Sequence, residues 1–210
     1  VVWASCMVAC GDADGAVTGN TRRFGASLDK IKQVVNPRKG EIMFGLNLVV
    51  HKGKTIFVAD TSVHEYPSSN EMSEIAISAA RVVRLFGFDP KVAFVSHSTF
   101  GQPLTSRTKH IKKAVDILKE KNVDFEFDGD MQPDVALNKD YKSLYPFSNI
   151  VGNANILIMP GQHSAAISYK MMKELGDTKV IGPLLIGLGL PIEIAPLRTS
   201  TSELINLASI

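Results

Sequence analysis

The feature that most constrains the fold is a regular alternation of short apolar runs with helical patterns. Apolar runs of strand length lie at 42–51, 55–59, 91–96, 155–159, 184–186 and 192–195. Segments with helical spacing lie between or after them at 68–87, 106–121, 164–175 and 202–208. Strands joined through helices form crossover units, whose parallel strands make a sheet covered on both faces. The sequence therefore predicts an α/β fold, a three-layer sandwich around a largely parallel sheet.

The clearest single element is a helix that begins at Ser68. Ser68 and Glu71 have the spacing of a capping box, in which each side chain accepts a hydrogen bond from an N–H group at the helix start. Apolar side chains then recur every three or four residues from Met72, and Gly87 closes the run. Two of the apolar runs, 42–51 and 55–59, are separated by a short turn and predict a hairpin.

Charge and apolar patterning exclude several classes of function. The net charge is only +2, and the 23 lysine and arginine residues are spread along the chain, so no nucleic-acid partner is expected. No apolar run reaches the ~18 residues that span a bilayer, so no membrane partner is expected either. The use of only two cysteines suits a reducing compartment, and a cytoplasmic location is predicted.

The two cysteines, Cys6 and Cys10, lie four residues apart in an apolar stretch. On a helix they would share a face, and the favoured interpretation is that both are small buried hydrophobic side chains. No second Cys or His pair follows at the spacing of a metal site, so no metal is predicted in this chain. The chain also starts without Met and inside an apolar helical pattern, which predicts missing sequence upstream.

Ligand sites in open α/β sheets lie beyond the carboxyl ends of the strands. A first candidate segment follows the buried strand at 91–96, where hydroxyl and backbone N–H groups can hold a phosphate or thioester oxygen. Its candidate ligand-binding residues are Ser96, Ser98, Thr99 and Gly101. The alternative is a plain strand-to-helix turn built from small residues.

A second candidate segment is the polar stretch at 11–22, which begins with a glycine-rich turn. Its candidate ligand-binding residues are Asp14, Thr18 and Arg22. Glycines let a ligand approach the backbone closely, but the spacing is not that of a calcium loop. The alternative is a helix C-cap followed by the N-cap of the next element.

A third candidate segment carries three carboxylates within seven residues, Asp128, Asp130 and Asp134. Such a group can bind a cation or provide a general base. Carboxylates before a helix start also serve as caps and as partners of the helix dipole. The structural interpretation is favoured, because nothing in the sequence fixes the geometry of the three side chains.

The fourth candidate segment, 197–203, contains Arg198, whose guanidinium can bind a phosphate through two parallel hydrogen bonds. Ser200 and Glu203 in the same segment have the spacing of a second capping box. The segment therefore fits both an anion site and an ordinary helix start.

Taken together and in this order, these segments resemble the phosphotransacetylase family of phosphate acetyl- and butyryltransferases. The resemblance runs from about Gly11 to the end of the chain. It rests on Gly-Asp-Ala-Asp-Gly-Ala-Val-Thr-Gly at 11–19, Phe-Val-Ala-Asp-Thr at 57–61, Glu-Ile-Ala-Ile-Ser-Ala-Ala at 74–80, Lys-Val-Ala-Phe-Val-Ser-His-Ser-Thr-Phe-Gly at 91–101, Asp-Gly-Asp-Met-Gln-Pro-Asp-Val-Ala-Leu at 128–137 and Val-Ile-Gly-Pro-Leu-Leu-Ile-Gly-Leu at 180–188. The family's fold implies two α/β lobes with the ligand, acetyl-CoA or acetyl phosphate, in the cleft between them. By that analogy residues 43–187 form one lobe, and residues 1–42 with 188–210 form part of the other.

Within this family the chain most resembles the phosphotransacetylase-like C-terminal half of bacterial NADP-dependent malic enzymes. The residues that carry this closer resemblance are 44–50, 145–147 and above all 159–168. The resemblance implies an attached malic-enzyme domain that uses NADP and a divalent metal, while this chain itself holds no cofactor. It also implies a homo-oligomer built on dimers.

One departure from the family pattern bears directly on function. The resemblance implies a Ser-Arg-Gly turn before the last helix, whose Arg binds the acyl phosphate, and an Asp six residues after that Arg, which prepares the CoA thiol. This chain keeps Arg198, but Leu197 and Leu204 stand at the Ser and Asp positions. Leu204 accepts no proton and Leu197 donates no hydrogen bond, so the transferase machinery is predicted to be degraded.

Three functions follow from the resemblance and this departure. The first is a regulatory acetyl-CoA-binding and oligomerisation module of an NADP-dependent malic enzyme. The second is a working phosphate acetyltransferase that uses Glu203 or another base, although one step along a helix turns a side chain by about 100°. The third is a purely structural assembly module.

Overall fold

The computed structural model describes residues 1–210, with the side chain of Lys142 excepted. The strands are β1 (Ala16–Gly19), β2 (Phe44–His51), β3 (Lys54–Ala59), β4 (Lys91–Val95), β5 (Glu126–Met131), β6 (Ile156–Ile158), β7 (Thr178–Ile186) and β8 (Ile192–Ala195). The helices are α1 (Val2–Cys10), α2 (Phe24–Ile31), α3 (Ser69–Leu85), α4 (Ser106–Glu120), α5 (Pro133–Leu137), α6 (Lys139–Lys142), α7 (Gln162–Leu175) and α8 (Thr201–Ala208). The predicted α/β class is confirmed.

Six strands form the main sheet in the order β5-β4-β6-β3-β2-β7. The pairs from β5 to β3 are parallel, while β2 runs antiparallel to both β3 and β7. The predicted hairpin is β2 and β3, whose register runs from His51 opposite Lys54 to Leu46 opposite Ala59. The sheet is therefore largely parallel, with its antiparallel part at one edge.

Helices cover both faces of this sheet, as a three-layer sandwich requires. Successive strand residues point to opposite faces, and Phe57 and Val58 of β3 accordingly belong to different apolar clusters. The cluster around Phe57 includes side chains of α3 and α4, such as Ile75 and Ile111. The cluster around Val58 includes side chains of α5 and α7, among them Ala165.

Two strands differ from the sequence prediction, because each pairs with a neighbouring strand along residues that are locally too polar to predict a strand. β7 is longer than the predicted 184–186, since it pairs with β2 as far as Thr178, opposite His51. β1 lies inside the stretch that was predicted as a polar loop, and it pairs in parallel with β8 in a separate two-stranded sheet. Backbone hydrogen bonds to a neighbouring strand are available to any residue but proline, so such a strand needs no apolar pattern.

The two-stranded sheet has its own apolar cluster with α1 and α2. Val8, Leu28 and Ile194 are buried there, together with Leu185 of β7 from the main sheet. The predicted division into lobes at residues 43 and 188 stays a prediction. Among the described residues, no helix combines the length and the apolar character needed to cross a bilayer.

Candidate functional site

A cleft of about 850 Å³ lies where the two-stranded sheet and the main sheet approach each other. One wall consists of residues of α2 and of the segment 196–207, which includes the start of α8. The other wall consists of the loop 61–65 after β3, of α7 and of residues 180–183 in β7. The cleft therefore joins chain segments that are far apart in the sequence.

Charged side chains of both signs line this cleft. The cations are Arg23, Lys32, Lys170, Lys173 and Arg198, and the carboxylates are Asp29, Glu65, Glu174 and Glu203. Lys173 pairs with Glu203, whereas Arg23, Lys32 and Arg198 form no ion pair with any side chain that the structure describes. Unpaired guanidinium and ammonium groups in a concave site attract phosphate-bearing ligands.

Arg198 occupies a tight turn between β8 and α8. Its φ of 60° lies in the left-handed region, and its N–H group donates to the carbonyl oxygen of Asn20 at 3.2 Å. Thr199 closes the turn, because its hydroxyl donates to the carbonyl oxygen of Pro196 at 2.7 Å. The backbone on both sides of Arg198 is thus fixed while its side chain stays exposed and lines the cleft.

Glu203 is engaged on both carboxylate oxygens. Oε1 accepts a hydrogen bond from Lys173 Nζ at 2.8 Å, and Oε2 accepts from the Ser200 N–H group and hydroxyl, each at 2.8 Å. The predicted capping box of Ser200 and Glu203 is confirmed. The Lys173 hydrogen bond, with those from Ser200, lowers the pKa of Glu203 to about 2. This carboxylate is therefore a weak proton acceptor near neutral pH.

Leu197 and Leu204, which the resemblance aligns with the family's Ser and Asp, lie in different surroundings. Leu197 is 53% exposed and lines the cleft beside Arg198. Leu204 is partly buried and packs against the main apolar cluster. Neither side chain can exchange a proton with a ligand.

The loop after β3 is organised by Asp60, a residue that sequence reasoning did not single out. Its carboxylate is 1% exposed. Oδ1 accepts from the N–H groups of Gly45, Ser62 and Val63 at 2.8 to 3.1 Å, and Oδ2 accepts from the His64 N–H group at 2.6 Å. Oδ2 also lies 2.7 Å from Nδ1 of His64. This network holds the cleft wall at 61–65, and its only sequence signal was a carboxylate directly after an apolar strand.

Ser96, Ser98, Thr99 and Gly101 lie together, but none of them lines the cleft. Ser98 Oγ donates to Asp130 Oδ2, and the Gly101 N–H group donates to Asp130 Oδ1 at 3.0 Å. Asp130 is only 2% exposed. The polar groups of this turn thus satisfy one another, and their binding of a ligand stays a prediction.

The carboxylates of the third candidate segment are likewise engaged with the backbone. Asp128 accepts from the N–H groups of Gly129 at 2.9 Å and Asn149 at 2.7 Å, and Asp134 accepts from the Val135 N–H group at 2.9 Å. Within the described side chains, no cluster of three His, Cys, Asp or Glu groups is arranged to hold a metal ion.

The second candidate segment also lies outside the cleft lining. Thr18 pairs with Ile194 in the two-stranded sheet, Asp14 precedes β1, and Arg22 is exposed at the surface. The neighbouring Arg23 does line the cleft. Sequence reasoning missed Arg23, Lys170 and Lys173, although the spacing of the two lysines on a predicted helix was a signal that they share one side.

Glu193 links the two sheets. Its Oε2 accepts a hydrogen bond from the Leu185 N–H group of β7 at 2.8 Å, while Glu193 itself belongs to β8. Burial raises the pKa of Glu193 to about 7, although the Leu185 hydrogen bond opposes this. A contact between the sheets therefore contains a carboxyl group that titrates near neutral pH.

The family model described as Phosphate acetyl/butaryl transferase matches residues 1–210. The α/β fold with its largely parallel sheet agrees with that match, and the chain belongs to this family. The resemblance drawn from the ordered segments of the sequence is confirmed.

Two kinds of curated relative are similar to the chain. It is 45% identical over 208 residues to NADP-dependent malic enzyme of Rhizobium meliloti (strain 1021). This match covers 99% of this chain and 27% of the relative. It is 31% identical over 218 residues to phosphate acetyltransferase of Clostridium acetobutylicum. This match covers 99% of this chain and 65% of the relative. The chain thus spans about a quarter of the length of the malic enzymes it matches.

Solved structures give the same fold. A phosphotransacetylase from Streptococcus pyogenes superimposes with a TM-score of 0.91 at 28% identity, over 99% of this chain and 64% of that one. EutD phosphotransacetylase from Staphylococcus aureus superimposes with a TM-score of 0.86 at 26% identity, over 99% of this chain and 64% of that one. The family and the fold predicted for this phosphotransacetylase-like domain are therefore confirmed.

Proposed function

We propose that this chain is a regulatory, acetyl-CoA-binding module of an NADP-dependent malic enzyme and is not itself an active acyltransferase. The similarity to malic enzymes over 99% of the chain supports the attachment. The cleft with Arg198 supports a retained ligand site. The observation that carries the proposal is the state of Glu203, the residue nearest in sequence to the missing acid.

A general base works best when its pKa lies near the operating pH. The hydrogen bonds from Lys173 and Ser200 hold the pKa of Glu203 at about 2, so its carboxylate has little tendency to take a proton from a thiol. The same bonds fix it as the cap of α8. Leu204 packs against the apolar core and offers no replacement. The cleft thus lacks, at these two positions, a group that prepares a thiol for attack.

The cleft suits the phosphate groups of acetyl-CoA. Arg23, Lys32 and Arg198 line it and have no ionic partner among the described side chains. A volume of about 850 Å³ accommodates a ligand larger than acetyl phosphate alone. We therefore favour acetyl-CoA, with its phosphates near these cations, over acetyl phosphate as the ligand.

Regulation requires that acetyl-CoA binds one arrangement of the whole protein more tightly than another. The cleft is formed by segments from opposite ends of the chain, so a ligand that contacts both walls favours one distance between them. In a homo-oligomer built on dimers, this preference can reach the attached malic-enzyme domain. The sign of the effect, activation or inhibition, is what the assay of malate oxidation measures.

The second candidate function is a working phosphate acetyltransferase. The retained Arg198 and the similarity to phosphate acetyltransferase of Clostridium acetobutylicum favour it. It requires a base other than Glu203, since that carboxylate is already fully engaged.

The deciding experiment uses the complete gene product that contains this chain. Acetyl-CoA formation is measured from acetyl phosphate and CoA, acetyl-CoA binding by calorimetry, and malate oxidation with NADP in the presence and absence of acetyl-CoA. The variant Arg198→Ala removes the cleft guanidinium, and the exposed Arg38→Ala is the matched control outside the cleft lining.

We expect no acetyl transfer, saturable acetyl-CoA binding, and a change in the rate of malate oxidation that Arg198→Ala weakens and Arg38→Ala leaves intact. Acetyl transfer that depends on Arg198 would establish the transferase instead. A folded protein that binds no acetyl-CoA would point to a structural assembly module.

A further inference from the structure

One ion pair joins the two walls of the cleft. Lys173 belongs to α7 in one wall and Glu203 to α8 in the other, and Lys173 Nζ lies 2.8 Å from Glu203 Oε1. Of the ion pairs between side chains that the structure describes, it is the only one with both partners in the cleft lining. The pair therefore occupies one cation of the cleft and also ties α7 to α8.

The two partners of this pair are held to different degrees. Glu203 Oε2 accepts hydrogen bonds from the N–H group and the hydroxyl of Ser200, each at 2.8 Å, so the carboxylate is fixed at the start of α8 even without Lys173. The Lys173 ammonium has no other partner among the described residues, and it ends a flexible four-carbon chain. When a competing anion arrives, Lys173 can therefore turn towards it while Glu203 stays in place.

The Lys173–Glu203 pair is weak enough for such an exchange. The side chains are 45% and 32% exposed, and pairs of this kind stabilise a structure by at most about fivefold in an equilibrium constant. A phosphate monoester carries a charge of about −1.5 to −2 near pH 7 and offers three acceptor oxygens. It therefore competes well for an ammonium group that is bound to a single carboxylate.

Glu203 opposes an anion in the cleft at two places. It is in contact with Lys173, and it lies in the first turn of α8, directly after the turn that holds Arg198. The hydrogen bond from Lys173 is the main cause of its low pKa of about 2, so the carboxylate is charged near neutral pH. Its negative charge thus neutralises Lys173 and reduces the attraction of Arg198 for a phosphate.

We infer that Glu203 masks Lys173 in the free protein, and that Lys173 becomes a phosphate-binding residue of the cleft when a ligand displaces Glu203 from it. The inference rests on the proposed function, because it takes the cleft to be the acetyl-CoA site. Binding then replaces a contact between the two walls by contacts of each wall with the ligand. Such a replacement gives the ligand a different interaction with the free and bound arrangements, which regulation requires.

The test measures binding to the complete gene product by calorimetry, with acetyl-CoA and pyrophosphate as separate probes. Glu203→Gln removes the charge that holds Lys173, while glutamine keeps the capping box with Ser200. Lys173→Met removes the ammonium group, and a double variant combines the two changes. Glu120→Gln, which is exposed and outside the cleft lining, alters the net charge equally and is the matched control.

We expect Glu203→Gln to tighten the binding of both probes about threefold to fivefold, because the ligand no longer has to break the pair. Glu120→Gln should leave both affinities within twofold. In a protein that already carries Lys173→Met, Glu203→Gln should change them by no more than twofold, since only the screened repulsion between Glu203 and the ligand is removed.

Unchanged affinity in Glu203→Gln, or an equal gain with and without Lys173, would overturn the inference and leave the proposed acetyl-CoA site intact. The proposed function fails separately, if the unaltered protein binds no acetyl-CoA. Pyrophosphate then still shows whether Glu203 masks Lys173, because this probe has neither an acyl group nor a CoA moiety. If neither probe binds to the unaltered protein or to Glu203→Gln, both proposals are overturned.

Discussion

The turn after β4 and the turn after β8 occupy similar places between a strand and a helix, but their polar side chains have different surroundings. Both leave a buried strand, both are rich in hydroxyl side chains, and both lead into a helix that starts with a capping box. In the first, Ser98 is fully buried and bound to Asp130. In the second, the Arg198 side chain is exposed to the cleft and forms no ion pair with a described side chain.

This difference shows what makes a polar turn available to a ligand. Polar groups that already satisfy one another gain little from a ligand, since each new hydrogen bond replaces an existing one. An exposed charged group whose only partner is water loses hydration alone, so a charge-assisted hydrogen bond to a ligand still gives a net gain. The comparison can be tested by removing the central side chain of each turn and asking whether stability or binding changes.

The largest effect is expected at Asp60, where internal support and the cleft wall coincide. Asp60→Ala leaves the buried N–H groups of Gly45 and Ser62 without an acceptor. Because unsatisfied buried groups are costly, the free energy of unfolding should fall by about 4 kcal/mol. Urea unfolding measures this loss, with the exposed Asp12→Ala as control. Acetyl-CoA affinity should also fall, because the loop at 61–65 loses its anchor.

An Asp60→Ala protein with unchanged stability would mean that the loop after β3 does not depend on this network. Unchanged stability together with lost acetyl-CoA binding would mean that Asp60 contacts the ligand. Asp60 would then be a binding residue and not a residue that supports the cleft wall.

Asp130→Ala tests the closed turn alone. The substitution leaves Ser98 Oγ and the Gly101 N–H group without their acceptor in a buried site. The free energy of unfolding should fall by about 3 kcal/mol, while acetyl-CoA affinity of the folded protein stays within twofold. Urea unfolding and calorimetry measure the two quantities. A tenfold loss of affinity with little loss of stability would show that this turn, too, serves a ligand.

The fold was largely predictable because its signals are local. The capping box of Ser68 and Glu71 is present as predicted, with the Ser68 N–H group donating to Glu71 Oε2 at 2.6 Å. The hairpin of β2 and β3 needed only two apolar runs and a turn. Strand β1 was missed, since its only support is pairing with β8, which lies more than 170 residues later in the chain.

The candidate site was predictable only in part, for the same physical reason. Arg198 was found because a guanidinium in a polar segment can bind a phosphate through two hydrogen bonds, and because the family resemblance implies an Arg there. Asp130, which closes the turn at Ser98, lies 32 residues away, and the sequence does not show that the two meet. The choice between a structural and a binding role depended on that long-range contact.

Glu193 provides a smaller and pH-dependent effect at the contact between the two sheets. Its pKa of about 7 is higher than the ordinary value of 4.5, so folding favours the protonated form. The stability it contributes is complete below about pH 4.5 and is lost as the pH rises through 7. Glu193→Gln keeps an acceptor for Leu185 without the charge, and should raise the free energy of unfolding at pH 8 by about 2 kcal/mol.

The same Glu193→Gln substitution should have little effect at pH 4.5, where the native side chain is already neutral. Thermal unfolding at several pH values measures the difference. A constant effect across that range would show that Glu193 is not the titrating group, and that the link between β7 and β8 does not sense pH.

The smallest effect on stability is expected at Arg198, and it completes the comparison. Arg198→Ala removes an exposed side chain while the backbone bond to Asn20 remains, so the free energy of unfolding should change by no more than about 0.5 kcal/mol. Acetyl-CoA affinity should nevertheless fall about tenfold, which is about 1.4 kcal/mol. Calorimetry at two salt concentrations sharpens the test, since a phosphate contact weakens as salt rises. If Arg198→Ala destabilised the fold as much as Asp130→Ala does, the turn after β8 would be as closed as the turn after β4. The cleft would then lose its principal anion-binding group.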